Sequence, residues 1–110
     1  MANSWGDDWL MKSFDYKSGI ILYDDSLLVQ SIPLYQQVQH LHEDLILVKY
    51  GEDYLFDLGW YPEHDINGSF LLQIIVKEQW DKPILYSRCK TVSDLKSIVN
   101  NAICFVEALL

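Results

Sequence analysis

Short runs of aliphatic and aromatic residues, each closed by Gly, Asp, Asn or Pro, fill roughly the first 90 positions, which is the signature of strands separated by turns. Ile20-Ile21-Leu22-Tyr23 is closed by Asp24-Asp25-Ser26, and Leu27-Leu28-Val29-Gln30 resumes, predicting two short strands around an Asp-Asp-Ser turn. Residues 45–50 and 54–60 flank Gly51-Glu52-Asp53, a three-residue connection with the glycine that bulged hairpins use. An antiparallel pair is expected there. Asn67-Gly68, which tolerates the positive φ of a tight turn, leads into a run over 69–76. Trp80-Asp81-Lys82-Pro83 then turns the chain into 84–88, where a proline at the start suits an edge strand.

Two segments read as helix. Ser31-Ile32-Pro33 can open one, since proline is tolerated in a first turn and Leu34, Val38 and Leu41 follow at helical spacing. Gln37 to His42 also alternate polar and apolar like a half-buried strand; the reading adopted is helix over 32–42. Beyond residue 90, Thr91 offers a cap hydroxyl with Asp94 three positions on, and Leu95, Ile98, Val99, Ala102, Ile103, Val106 and Leu109 recur at steps of three and four. Cys104 and Phe105 widen that stripe. The fold expected is α+β: a single-layer antiparallel β-sheet of about five strands, with the C-terminal helix and a second short helix packed on one face. No repeat or linker divides the sequence, so residues 1–110 read as one domain.

Composition narrows the class. Half of the 110 residues are apolar, and 4 Trp, 7 Tyr and 4 Phe provide core area that a disordered chain lacks. Sixteen acids against 8 bases give a charge of −8, which argues against direct nucleic-acid binding and favours basic partners. Cys89 and Cys104 fit neither a CxxC motif nor a disulfide framework, as in a reducing cytosol. The N-terminus lacks the charged start and apolar stretch of a secretory signal, and no run reaches the roughly 20 apolar residues of a membrane span. A cytoplasmic protein is expected.

The most metal-like cluster is His40-Leu41-His42-Glu43-Asp44, to which His64 or Asp57 could add a third ligand. On a strand His40 and His42 would share a face; on a helix they would diverge. Lacking an HExxH spacing, the cluster reads as a solvated segment entering the hairpin, and no metal or cofactor is expected. The acid pairs Asp7-Asp8, Asp24-Asp25, Glu43-Asp44 and Glu52-Asp53 sit in turn-like settings, as solvated loops do. GxSxG, Walker, GxGxxG and EF-hand patterns are all missing, so no catalytic residue is assigned.

Charge is distributed unevenly: residues 1–65 hold 12 acids and 3 bases, residues 66–110 hold 4 and 5. Trp5, Trp9, Tyr16, Tyr23, Trp60 and Tyr61 punctuate the acidic half. Carboxylates around aromatic anchors suit a binder of a basic protein.

The Asp57-Leu58-Gly59-Trp60-Tyr61-Pro62-Glu63 segment, Asn67-Gly68-Ser69-Phe70 opening a strand, and Trp80 before Pro83 together resemble bacterial immunity proteins of polymorphic toxins, including those of contact-dependent growth inhibition. That resemblance, over roughly residues 44–90, implies a cytosolic, single-domain immunity protein that binds a cognate toxin domain, such as a basic nuclease, and blocks its active site or substrate surface. It implies a class and no mapped site. The surface proposed from the acidic turns comprises Asp24, Asp25, Glu52, Asp53, Trp60, Tyr61, Glu63 and Asp65, expected to meet at one end of the sheet. Two alternatives stand beside it: a small metal-dependent enzyme using His40 and His42, and a structural or oligomeric subunit using the sheet edge or the N-terminal tryptophans.

Overall fold

A computed structural model describes residues 8–110, so Trp5 and Asp7 lie outside the described residues. Five strands, β1 (Ile20–Asp24), β2 (Ile46–Tyr50), β3 (Tyr54–Tyr61), β4 (Ser69–Val76) and β5 (Leu85–Cys89), are followed by one helix, α1 (Val92–Glu107). Among the described residues the strands form one antiparallel sheet in the order β1-β2-β3-β4-β5. Sequence neighbours are sheet neighbours: the β2–β3, β3–β4 and β4–β5 connections return the chain directly beside the strand it left, and the long segment 25–45 carries it from β1 to β2. The α+β arrangement expected from the periodicity is the one found, with β5 at an edge.

Successive residues of a strand face opposite sides of a sheet, and here the sides differ. Val48, Tyr50, Phe56, Leu58, Trp60, Phe70, Leu72 and Ile74 lie on one face within the buried core. Over β4 and β5 that core is roofed by α1, which buries Leu95, Val99, Ala102, Ile103 and Val106. Segment 10–16 contributes Leu10, Met11, Phe14 and Tyr16. Tyr16 packs edge-on against Phe56 with ring centroids 6.0 Å apart, and its backbone carbonyl accepts a 2.8 Å hydrogen bond from the Tyr50 hydroxyl. The hydroxyl of Tyr16 in turn donates to the Met11 carbonyl at 2.8 Å. Both phenols thus enter the core with partners, and burial holds their pKa values well above the usual range.

The cap expected for α1 forms: the Thr91 hydroxyl accepts from the Asp94 N–H at 3.1 Å, an interaction worth about 1 kcal/mol. Isolated helices of this length are marginal. Docking of the buried stripe, at about 1.5–3 kcal/mol for each fully buried aliphatic side chain, is therefore what holds it. The stripe is narrower than expected, since Cys104, Phe105 and Leu109 are exposed. Cys89 and Cys104 are both free, and burial, with Asp94 adding, pushes the Cys89 thiol up to about 11.

Two expectations fail together around residues 27–42. The second strand of the first pair reduces to a single bridge between Val29 and Trp9, and the helix over 32–42 is two 3-10 turns, Leu34–Gln36 and Val38–His40. The common cause is Gln37, which is 3% exposed. Its side-chain carbonyl accepts the Val29 N–H at 2.8 Å, and its NH2 donates to the carbonyls of Val29 at 2.9 Å and Ile32 at 2.7 Å. The amide takes the place of a strand partner for Val29. A regular helix would carry Gln37 away from that position, and the buried backbone groups it satisfies outweigh helical propensity.

Candidate functional site

Asp57 and Gln73 are polar residues in the middle of otherwise apolar strands, and register explains their meeting. Leu47 pairs with Asp57, Asp57 with Gln73, and Gln73 with Tyr86, while Tyr23 pairs with Leu47 across a bulge in β1. Tyr23, Leu47, Asp57, Gln73 and Tyr86 therefore form one row across all five strands, on the face opposite the core. Among the described residues this face carries no α-helix. It holds a recess of about 580 Å3 lined by Tyr23, Asp44, Leu47, Asp57, Tyr61, Gln73 and Trp80.

The recess has two walls. Segment 42–45 crosses one end, held by hydrogen bonds from Trp60 N–H to the His42 carbonyl at 2.8 Å and from Leu45 N–H to the Leu58 carbonyl at 3.0 Å. The close approach needs Gly59: a Cβ there would stand 1.7 Å from the carbonyl oxygen of Glu43. The other wall is the β4–β5 connection, whose Trp80 and the strand residue Leu47 also line a second recess with Leu22, Leu55 and Lys77. Trp80 is thus a partition between the two recesses, about half exposed.

Negative charge concentrates inside. Burial, with Asp44 adding, pushes the Asp57 carboxyl up to about 6. Tyr61 is raised by burial first, then by Asp57, Asp44 and Glu43, with Arg88 opposing. Among the described residues the ion pairs are Lys17–Asp15, His42–Glu63 and Lys49–Glu52, so neither Asp44 nor Asp57 has a paired cation. Arg88, on the same face, is engaged elsewhere: it donates to the Tyr86 hydroxyl at 2.6 Å and to the Ser69 hydroxyl at 2.9 Å. Beside the recess, Ile20, Ile21, Leu22 and Tyr23 of edge strand β1 are all exposed.

The residues proposed from the sequence divide into three groups. Asp24 pairs with Ile46 and Ile46 with Leu58, so Asp24, Asp25, Tyr61, Glu63 and Asp65 do share one end of the sheet. Glu52 and Asp53 lie in the β2–β3 turn at the opposite end, the length of β3 away, about 25 Å for its 8 residues. The expected clustering of all eight fails because a hairpin turn and its strand exit lie at opposite ends. Trp60 is also corrected: it is 1% exposed, packs edge-on against Phe70 at 4.8 Å, and donates its indole N–H to the Asp65 carbonyl at 2.7 Å. It belongs to the core.

Several of the acids also brace their own loops. Asp24 accepts from the Ser26 N–H and hydroxyl, Asp65 from the Asn67 N–H, and Asp25 from the Tyr23 hydroxyl. Glu63 accepts from the Glu43 N–H at 3.2 Å, which does most to hold its carboxyl below the usual range, with His64 and His42 adding. The partner surface expected from sequence left out Asp44, Asp57, Gln73, Trp80 and Tyr86, although Asp44 and Asp57 were among the candidate metal ligands. A signal for Asp57 existed: a turn at 51–53 sets position 57 opposite 47, and a lone acid inside an apolar strand marks a face that is not core.

Comparisons of the chain with protein-family models, with curated proteins and with solved structures found no match. No described helix is long and apolar enough to cross a membrane.

Proposed function

We propose that this is a non-catalytic binding protein whose open sheet face takes up a cationic segment of another protein, and that it acts as an immunity protein by covering a basic toxin domain. The observation that carries this reading is the partly buried Asp57 carboxylate, beside Asp44 and without an ion-pair partner among the described residues, in a recess walled by Tyr23, Tyr61 and Trp80. An Arg or Lys entering it would meet two carboxylates and aromatic side chains, both able to favour a cation. Desolvation decides the magnitude. At about 4 Å a charge pair is worth about 1 kcal/mol in water but about 4 kcal/mol at the effective dielectric of a protein surface. The exposed apolar side chains of β1 supply contact area beside the charge.

Stoichiometric inhibition follows from this chemistry, since occupying a basic cleft needs no reaction. Co-expression with a toxic domain encoded beside this chain should restore growth and yield a one-to-one complex whose association slows as salt is raised. Asp57→Asn should weaken that complex at least about thirtyfold, the low end of the effect of removing one partner of a buried charge pair. Glu52→Gln with Asp53→Asn, at the far end of the sheet, should leave affinity nearly unchanged. Failure to rescue growth or to co-purify would sink the immunity reading; equal effects of the two sets of variants would sink the placement on the open face.

A further inference from the structure

Outside the recess, at the end of the sheet where β3 exits, three side chains converge. We propose that His42, Glu63 and His64 bind one divalent transition-metal ion of the zinc class, a property beyond the partner-binding reading and independent of it. The histidines are 22 positions apart in sequence, and the β3–β4 connection folds back to bring them together. The backbone N–H of His64 donates to the Leu41 carbonyl at 2.8 Å, and His64 itself adopts φ 60°, a left-handed conformation that branched or bulky residues avoid.

One ligand atom from each residue lies within 4.8 Å of the other two. His42 Nδ1 is 3.3 Å from His64 Nε2 and 3.4 Å from a Glu63 carboxylate oxygen. Tetrahedral coordination with bonds of about 2.0–2.1 Å places ligand atoms about 3.3–3.4 Å apart, so two of the three edges already have the required length. Without a metal, the same distance demands that one imidazole donate to the other. With one, both nitrogens present lone pairs to the ion, and the carboxylate offsets its charge.

The donor set chooses the ion. Two imidazoles and one carboxylate form the nitrogen-oxygen combination of zinc sites that leave a fourth position for water, whereas Mg2+ and Ca2+ prefer oxygen alone. His42 is half-buried while Glu63 and His64 are exposed, so the ion enters from solvent. The Glu43 N–H, donating to the same Glu63 oxygen, orients the carboxylate. His40 is outside the cluster, its ring centroid 6.5 Å from that of His42. The pairing of His40 with His42 considered from sequence is thus replaced by one between His42 and His64.

The test uses the full chain without a histidine tag, stripped with chelator and titrated with ZnCl2 or CoCl2. One equivalent should bind, Co2+ should give the visible absorption of a four-coordinate site, and Zn2+ but not Mg2+ or Ca2+ should raise the unfolding temperature. His64→Asn, chosen because Asn accepts left-handed backbone, and Glu63→Gln should each weaken Zn2+ binding more than about tenfold. His40→Ala should bind as the parent does. X-ray absorption of the zinc-loaded parent, which needs no variant to fold, should show imidazole nitrogen and oxygen neighbours. Absence of micromolar binding, undiminished binding by His64→Asn and Glu63→Gln, or sulfur among the neighbours would overturn the site.

Discussion

Phe56, Leu58 and Trp60 share a sealed interior with α1, whereas Asp57 and Tyr61, alternating with them on the same strand, face a recess that solvent reaches. β3 thus presents two surfaces made under different constraints. The core side is apolar and filled by α1 and segment 10–16. The other side retains a charge that burial disfavours, an aromatic partition at Trp80, and a glycine that admits the backbone of Glu43. Stability accounts for the first surface. It does not account for Asp57, whose ionised form the fold destabilises, and a group kept against its own stability points to a use made of it.

The largest expected effects separate the faces by substituting one tryptophan on each. Trp60→Ala should lower stability by about 3–5 kcal/mol, as removing a large side chain from a packed core does. It should alter partner binding only through unfolding. Trp80→Ala should cost about 1 kcal/mol or less, being a surface change, yet weaken the complex. Urea denaturation read beside titration with the partner checks both, and a Trp80→Ala variant as unstable as Trp60→Ala would mean that the second face is core as well.

How far this division could be read from the chain depends on the interaction that sets it. The β2–β4 strands and α1 were legible because runs, turn residues and a capped 3-4 spacing are local signals, and the register of the first hairpin follows from its turn. Trp60 was misjudged because a tryptophan next to acids looks the same in sequence whether it points inward or outward; only strand parity, counted from Tyr54, assigns it to the core. Segment 27–42 was illegible for another reason. A side-chain amide, Gln37, replaces a backbone partner there, and such substitution leaves no periodic trace. His64 was one of two candidates to join His42; that it, and not Asp57, does so is set by how the β3–β4 connection folds back, which no spacing rule anticipates.

A smaller effect, of opposite sign, should come from Asp57→Asn. The carboxyl titrates at about 6 in the folded protein, against about 3.9 in an unfolded chain. Folded protein holds this proton more tightly, so the group's stabilising contribution is complete below about pH 4 and is lost as pH rises through about 6. Asparagine removes the ionisation. The variant should therefore exceed the parent by about 1–2 kcal/mol at pH 7, after discounting for the solvent that reaches this side chain, and match it near pH 4. Affinity for a cationic partner should follow the reverse course in the parent, falling as pH is lowered from 7 to 5, with Asp44, Tyr61 and Tyr23 the other titratable groups lining the recess. Urea midpoints at the two pH values check the first; a variant less stable than the parent at pH 7 would show that Asp57 is structural.

The smallest change concerns the turn that launches Trp80 across the open face. Lys77 and Glu78 have φ of 51° and 59°, and the Gln79 N–H donates to the Val76 carbonyl at 3.1 Å. Two successive left-handed residues closed by that bond form a turn of the mirrored type I class, in which Asn-Gly is preferred because glycine has no Cβ to clash and the short polar side chain of asparagine offsets its clash by local hydrogen bonding, which Lys and Glu do less well. Lys77→Asn with Glu78→Gly should relieve that strain, while glycine's greater freedom in the unfolded chain offsets part of the gain. A net increase of about 1 kcal/mol is expected in thermal or urea unfolding. The same substitution leaves Trp80 and both carboxylates in the sequence, so affinity should hold if the turn only delivers the indole to its position. Higher stability with weaker binding would instead mean that Lys77 and Glu78, which line the second recess with Trp80, are part of the contact surface, extending it past Trp80 toward the β2–β3 turn.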